Sequence, residues 1–179
     1  MNLEGRDCIV IGPANDREAV EKTRALEEVG ASVRWIQDGS FRDEDVAQAF
    51  FVISTPLDEA LSARLRRLAD RYHFLLCCID QPAYGFVAMQ AVAKAGPARI
   101  TVSSGGVSPA VSKRWRIAIQ RVLDGKFTRF LDALRTKRTA NRDLPDSEAR
   151  KQAGRDAAEG FDVQISVRYP DWFESGPAK

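Results

Sequence analysis

DCIVIGPANDREAVEKTRALEEVGASVRWI, residues 7–36, reads as strand, helix and strand in direct succession. DCIVIG is a short apolar run closed by Gly12, the pattern of a strand buried on both faces of a parallel sheet. From about Asp16 to Val29 the apolar spacing becomes helical, with Ala19, Thr23 and Leu26 on one face and Gly30 as the stop. ASVRWI then returns to a strand pattern that ends at Ile36. A right-handed crossover of this length sets the two strands side by side and parallel.

The same alternation continues outward. A short helical piece near 42–48 leads into AFFVIST, a third strand. Leu57, Ala60, Leu61, Leu65 and Leu68 recur at helical spacing over 57–72; FLLCCID follows as a fourth strand and ARITVSS as a fifth. Such a chain predicts an α/β fold, a Rossmann-like doubly wound parallel sheet, over residues 1–108. The carboxyl ends of all five strands then share one edge, where open α/β sheets bind ligands. Gly12, Ser54, Thr55, Asp80, Ser103 and Ser104 fall at those ends.

The fifth strand runs into ITVSSGGVSPAVSKRW, residues 100–115. Gly105 and Gly106 suit a tight turn, Ser108 a helix N-cap and Pro109 the first helical position. The outcome is either a well-capped corner or an anion site made of amides and hydroxyls, reinforced by Lys113, Arg114 and Arg116. Beyond it, residues 109–179 read as a smaller, mainly helical region. Trp115, Ile119, Val122, Phe127, Phe130 and Leu134 mark one or two helices to about 134, 136–146 a polar loop, and 147–159 a weak helix. Val163, Ile165 and Val167 alternate as in a short strand, and SGPAK reads as a frayed end.

Composition narrows the function classes. Net charge is only +2, yet residues 111–155 hold thirteen Lys/Arg against five Asp/Glu, which suits an anionic partner. Trp115, Phe127 and Phe130 sit at core-like helical spacings without a groove-reading motif, so nucleic acid is not expected. No apolar run is long enough to span a bilayer, and MNLEGRDCIVIG is not a signal peptide. Cys8, Cys77 and Cys78 lie in apolar runs, which points to reduced thiols and a cytoplasmic protein. With one histidine, His73, and neither CxxC nor HExxH, no protein-built metal site is expected. His73 itself reads as a cation in the last turn of its helix.

The order strand–Gly12–helix, LEEVGASV, AFFVIST, CCIDQP, ITVSSGGVSPAVSKRWR resembles the N-terminal module of siroheme synthase and its stand-alone relatives, the precorrin-2 dehydrogenase family. The likeness covers roughly residues 3–123, and its most specific part is the pairing of IDQP with SSGGVSP. The resemblance implies NAD-dependent oxidation of precorrin-2 to sirohydrochlorin, in some members with insertion of ferrous iron (a lyase activity, with iron as substrate). It implies an anionic tetrapyrrole as partner, a homodimer formed through residues 109–179, and no membrane. Asp80 matches the family's catalytic carboxylate. Gly12, Ala14, Asn15, Asp38, Ser54 and Thr55 fall on the cofactor side. Ser104, Gly105, Gly106, Ser108, Lys113 and Arg114 fall on the substrate side.

Three departures qualify the match. The family's glycine-rich loop is replaced by GPANDREA, two residues longer, in which Pro13 lacks an N–H and Asp16 and Glu18 carry the wrong charge for a pyrophosphate. Asn15 to Glu18 reads as a capping box. The segment 37–48 is short, which shrinks an adenosine pocket; GFVAMQAVAKAG stands where the family has an apolar run with proline. The alternative is therefore a non-oxidising tetrapyrrole-binding or chelatase-like relative that has lost NAD.

Overall fold

In the computed structural model, which describes residues 2–37, 40–144 and 146–174, four parallel strands form the sheet. They are β1 (Asp7–Ile11), β2 (Ser32–Ile36), β3 (Phe51–Ser54) and β4 (Leu75–Cys78), in the order β2-β1-β3-β4. Asp38 and SGPAK lie outside the described residues. The register sets Ile11 beside both Ile36 and Ser54, and Ser54 beside Cys78, so the carboxyl ends are level.

Period-two alternation divides the sheet between two layers. Ile9, Ile11, Val52, Leu76 and Cys78 pack with Leu65 and Leu68 of α2 (Glu59–Tyr72). Cys8, Val10, Phe51, Ile53 and Cys77 pack with Ala19 and Leu26 of α1 (Arg17–Glu27). Burial on both faces is why these strands read as unbroken apolar runs. Each fully buried Ile, Leu or Phe contributes about 1.5–3 kcal/mol, and Ile53, Leu65 and Leu76 are all fully buried. The α2 N-cap is Asp58, which accepts from the Leu61 N–H at 3.0 Å. His73 is not in the last turn: it is the left-handed C-cap, φ +62°, closing α2 onto the Ala69 carbonyl.

ARITVSS is not a fifth parallel strand. It forms β6 (Ala98–Val102), antiparallel to β5 (Ala91–Ala95) in a separate two-stranded sheet joined through Gly96, φ +51°. Alternation specified a strand but not its partner. AVAKA and ARITV flank Gly-Pro, and a turn there lets each satisfy the other's backbone. Ala93 and Ala95 of this hairpin pack on Ile119 and Leu123. The chain accordingly divides into two compact units at Met89/Gln90, earlier than the expected 108, and Ser103 and Ser104 belong to the second.

The second unit continues with α3 (Pro109–Val122), α4 (Gly125–Ala140), α5 (Ser147–Ala158) and the single turn α6 (Asp171–Glu174). The helix α4, capped at its start by Asp124, whose carboxylate accepts from the Phe127 N–H at 2.8 Å, runs on into the expected loop as far as Ala140. Residues 161–170 form no strand. Their alternating Val163, Ile165 and Val167 remain exposed with no ladder to join, while Phe161 stacks on Phe130 at 5.0 Å.

Candidate functional site

In the first unit the sheet edge gathers Gly12, Asp16 and Thr55. Gly12 is buried, and a Cβ there would overlap Thr55 Oγ1 and meet the Ala19 Cβ at 3.0 Å. Glycine is needed because two side chains already fill that space. Asp16, not Asn15, is the N-cap of α1: its Oδ1 accepts from the Glu18 N–H at 2.8 Å. The Thr55 hydroxyl donates to the other Asp16 oxygen. That bond, above all, holds the Asp16 carboxyl below the usual carboxylate range, with the amides of Glu18 and Ala19 adding to the effect. Glu18 is turned to Lys22 at 3.1 Å and Arg17 to Glu21 at 3.0 Å, so neither completes a capping box. Ala14 and Asn15 are exposed on the loop. Trp35 Nε1 donates to the Gly12 carbonyl at 2.9 Å. Ser54 is sealed inside the α2 layer, and its Oγ has no hydrogen-bond partner.

Asp80 stands at the end of β4, exposed, with φ +57°. Only Asp80 and His73 among the described non-glycine residues adopt this left-handed conformation, which an L-residue other than Asn or Asp seldom takes. The turn is fixed from both sides. The Ile79 N–H donates to the Ser54 carbonyl at 2.8 Å, and the Ser62 hydroxyl of α2 donates to Gln81 Oε1 at 2.6 Å. Ser62 was missed in the sequence; its one signal is a serine on the apolar face of α2, next to Leu61. Behind the turn, burial pushes the Cys77 and Cys78 thiols up, so both are neutral packing groups at physiological pH.

In the second unit the serines of the corner bond to one another. Ser104 Oγ accepts from the Ser108 N–H at 3.0 Å and donates to the Ser108 carbonyl at 2.9 Å; Ser108 Oγ caps α3 through the Val111 N–H at 3.3 Å. Gly105 and Gly106 take φ +63° and +83°, with nothing within 4 Å of either Cβ position, so they form an open turn. Lys113 and Arg114 share one face of α3 with Ala110, Ile117, Ala118 and Arg121. This is a small apolar strip edged by three cations, none with an ion-pair partner among the described residues. Arg121 was also missed, although it lies two turns after Arg114 on the same face. A groove of about 770 Å³, lined by Ile100, Ile119, Phe127, Phe130, Phe161 and Ile165 among others, is predominantly apolar.

These features define an α/β protein of the dinucleotide-binding class, with a parallel sheet and a Gly12 turn into α1. Residues 1–91 match a family model described as "Putative NAD(P)-binding". A siroheme synthase from Nitrosococcus oceani is 24% identical over 149 residues, covering 73% of this chain and 31% of its own length. A siroheme synthase from Xylella fastidiosa is 26% identical over 172 residues, covering 84% and 36%. The precorrin-2 dehydrogenase of Bacillus subtilis is 27% identical over 131 residues, covering 73% and 76%. The solved structure of SirC, precorrin-2 dehydrogenase, superposes with a TM-score of 0.71 at 16% identity over 89% of this chain and 88% of its own. The chain therefore belongs to the NAD(P)-binding family of siroheme synthase N-terminal modules and precorrin-2 dehydrogenases. It spans about a third of the length of the siroheme synthases it matches.

The family implies NAD(P), and the residues at the end of β1 test that implication. A pyrophosphate needs the free amides at the start of α1 and a loop that lets backbone approach it. Here Asp16 accepts from those amides, Pro13 has no N–H, and the space above Gly12 is filled. With Asp16 in this place, the residues do not fit a bound pyrophosphate.

Proposed function

We propose that this chain serves siroheme biosynthesis by binding an anionic tetrapyrrole of the precorrin-2 or sirohydrochlorin class. The observation that carries the reading is the α3 face, where Lys113, Arg114 and Arg121 flank Ala110, Ile117 and Ala118. A flat macrocycle fringed with carboxylates presents the complement, an apolar face with an anionic rim. The proposed reaction is dehydrogenation of precorrin-2, as the name of its relatives says, giving sirohydrochlorin; the oxidant the family model implies, NAD(P)+, needs the start of α1 that Asp16 now occupies. Oxidation also releases a proton from the macrocycle, and Asp80 takes it, an exposed carboxylate on a turn pinned by Ser62 and Gln81. Ser104, Gly105, Gly106 and Ser108 shape the corner from which α3 starts. Homodimerisation through the second unit and a cytoplasmic setting belong to the same reading, and ferrous iron enters only as a substrate.

One observation favours a second reading, a non-oxidising tetrapyrrole holder or chelatase-like protein: the Asp16 carboxylate at the dinucleotide edge. The test common to both is an absorbance titration of the protein with sirohydrochlorin, repeated on the K113A/R114A/R121A variant. Loss of three charge-assisted contacts should weaken binding by roughly a hundredfold or more. An unchanged titration would remove the α3 face from the proposal. No wild-type binding would remove the tetrapyrrole.

A further inference from the structure

Helix α1 is eleven residues long, and its positive N-terminal end faces the carboxyl ends of β1 and β3. What sits there is the chain's own anion. Asp16 accepts from the Glu18 N–H at 2.8 Å and is held further by the Ala19 amide and the Thr55 hydroxyl. Thr55 is fixed in turn, its N–H bonding the Ile11 carbonyl at 3.0 Å. The Cβ that Gly12 lacks would lie 3.4 Å from Asp16 Oδ2, so the carboxylate closes over the spot where a phosphate oxygen would approach backbone. A dinucleotide pyrophosphate requires the same helix end and the same donors, and two anions cannot share them.

We propose that Asp16 is a built-in stand-in for the dinucleotide phosphate: NAD(P) binds this chain only when that carboxylate leaves the start of α1, and its charge sets the affinity. The inference rests on the dinucleotide fold of the first unit and is independent of the tetrapyrrole reading. Glu18, the other acid of the loop, is paired with Lys22 at 3.1 Å and does not take the place of Asp16.

The test is calorimetry with NAD+ and with NADP+ on the wild type, Asp16→Asn and Asp16→Ser, with circular dichroism to verify the fold. Asn and Ser are both good N-caps, so α1 keeps its start while the charge is removed. Wild-type binding should be weak, and both variants should bind at least one of the two dinucleotides about tenfold more tightly or better. Micromolar binding by the wild type would overturn the proposal. So would folded variants that bind no better than the wild type, since the obstacle would then lie in Pro13 or the loop length. If Asp16→Asn loses the fold, Asp16→Ser decides the matter alone.

Discussion

The starts of α1 and α3 meet the same electrostatic demand in opposite ways. At α1 the chain supplies the anion: Asp16 caps the helix and Glu18 stands in its first turn. At α3 the cap is the neutral Ser108, the first turn holds no acid, and Lys113 and Arg114 follow. A helix end given its own carboxylate has its positive potential neutralised from within; one capped by a hydroxyl and followed by cations keeps it. The first unit therefore holds its own anion where its fold usually takes one from outside, whereas the start of α3 is capped by a neutral hydroxyl and has no acid in its first turn. The same residue types, serine or aspartate before a helix, lead to different chemistry because their surroundings differ in charge.

Three measurements would break or sharpen this contrast. The largest effect is expected at Asp80, which the proposal makes the reacting group while α3 binds. Asp80→Asn keeps a residue that tolerates φ +57°, and should slow anaerobic conversion of precorrin-2 by about a hundredfold or more. The tetrapyrrole titration should not move; a parallel loss of binding would merge the two roles. Next is Gly12→Val, which would force apart Thr55, Ala19 and Asp16. It should destabilise the first unit by roughly 1–3 kcal/mol in urea unfolding, and an unaltered midpoint would mean that the edge is looser than its contacts suggest. The smallest effect is the pH dependence of Asp16. Its carboxyl lies below the ordinary value of 3.8 in the folded chain, so its contribution to stability is present above that value and is lost as pH falls through the lower, folded value. The stability difference between wild type and Asp16→Asn should thus be constant from neutral pH to about pH 5 and shrink below about pH 4. A gap that grows on acidification would contradict the Thr55 bond.

The sequence made β1, α1 and β2 legible because local patterns suffice there: a run buried on both faces, a helical period, a glycine stop. Ile100 and Val102 were legible as strand residues but not as members of a hairpin, because pairing is a property of the partner, and Ala91–Ala95 supplied it. At the loop, the cap was misplaced by one residue, since Asn15 and Asp16 are both good cap types. The contact that selects Asp16 comes from Thr55, 39 residues away, beyond any local pattern. Arg121 was within reach of helical spacing, whereas Ser62 gave almost nothing, a lone hydroxyl among leucines whose partner Gln81 lies on another element.

The left-handed turn at Asp80 has a consequence for how this protein can change over generations. A side chain held at positive φ leaves about 1 kcal/mol of strain that glycine would relieve. Selection for heat resistance alone is therefore drawn toward glycine at this position, and would discard the carboxylate in the same step. With Asp80 as the proposed proton acceptor, durability and reactivity compete here for a single codon.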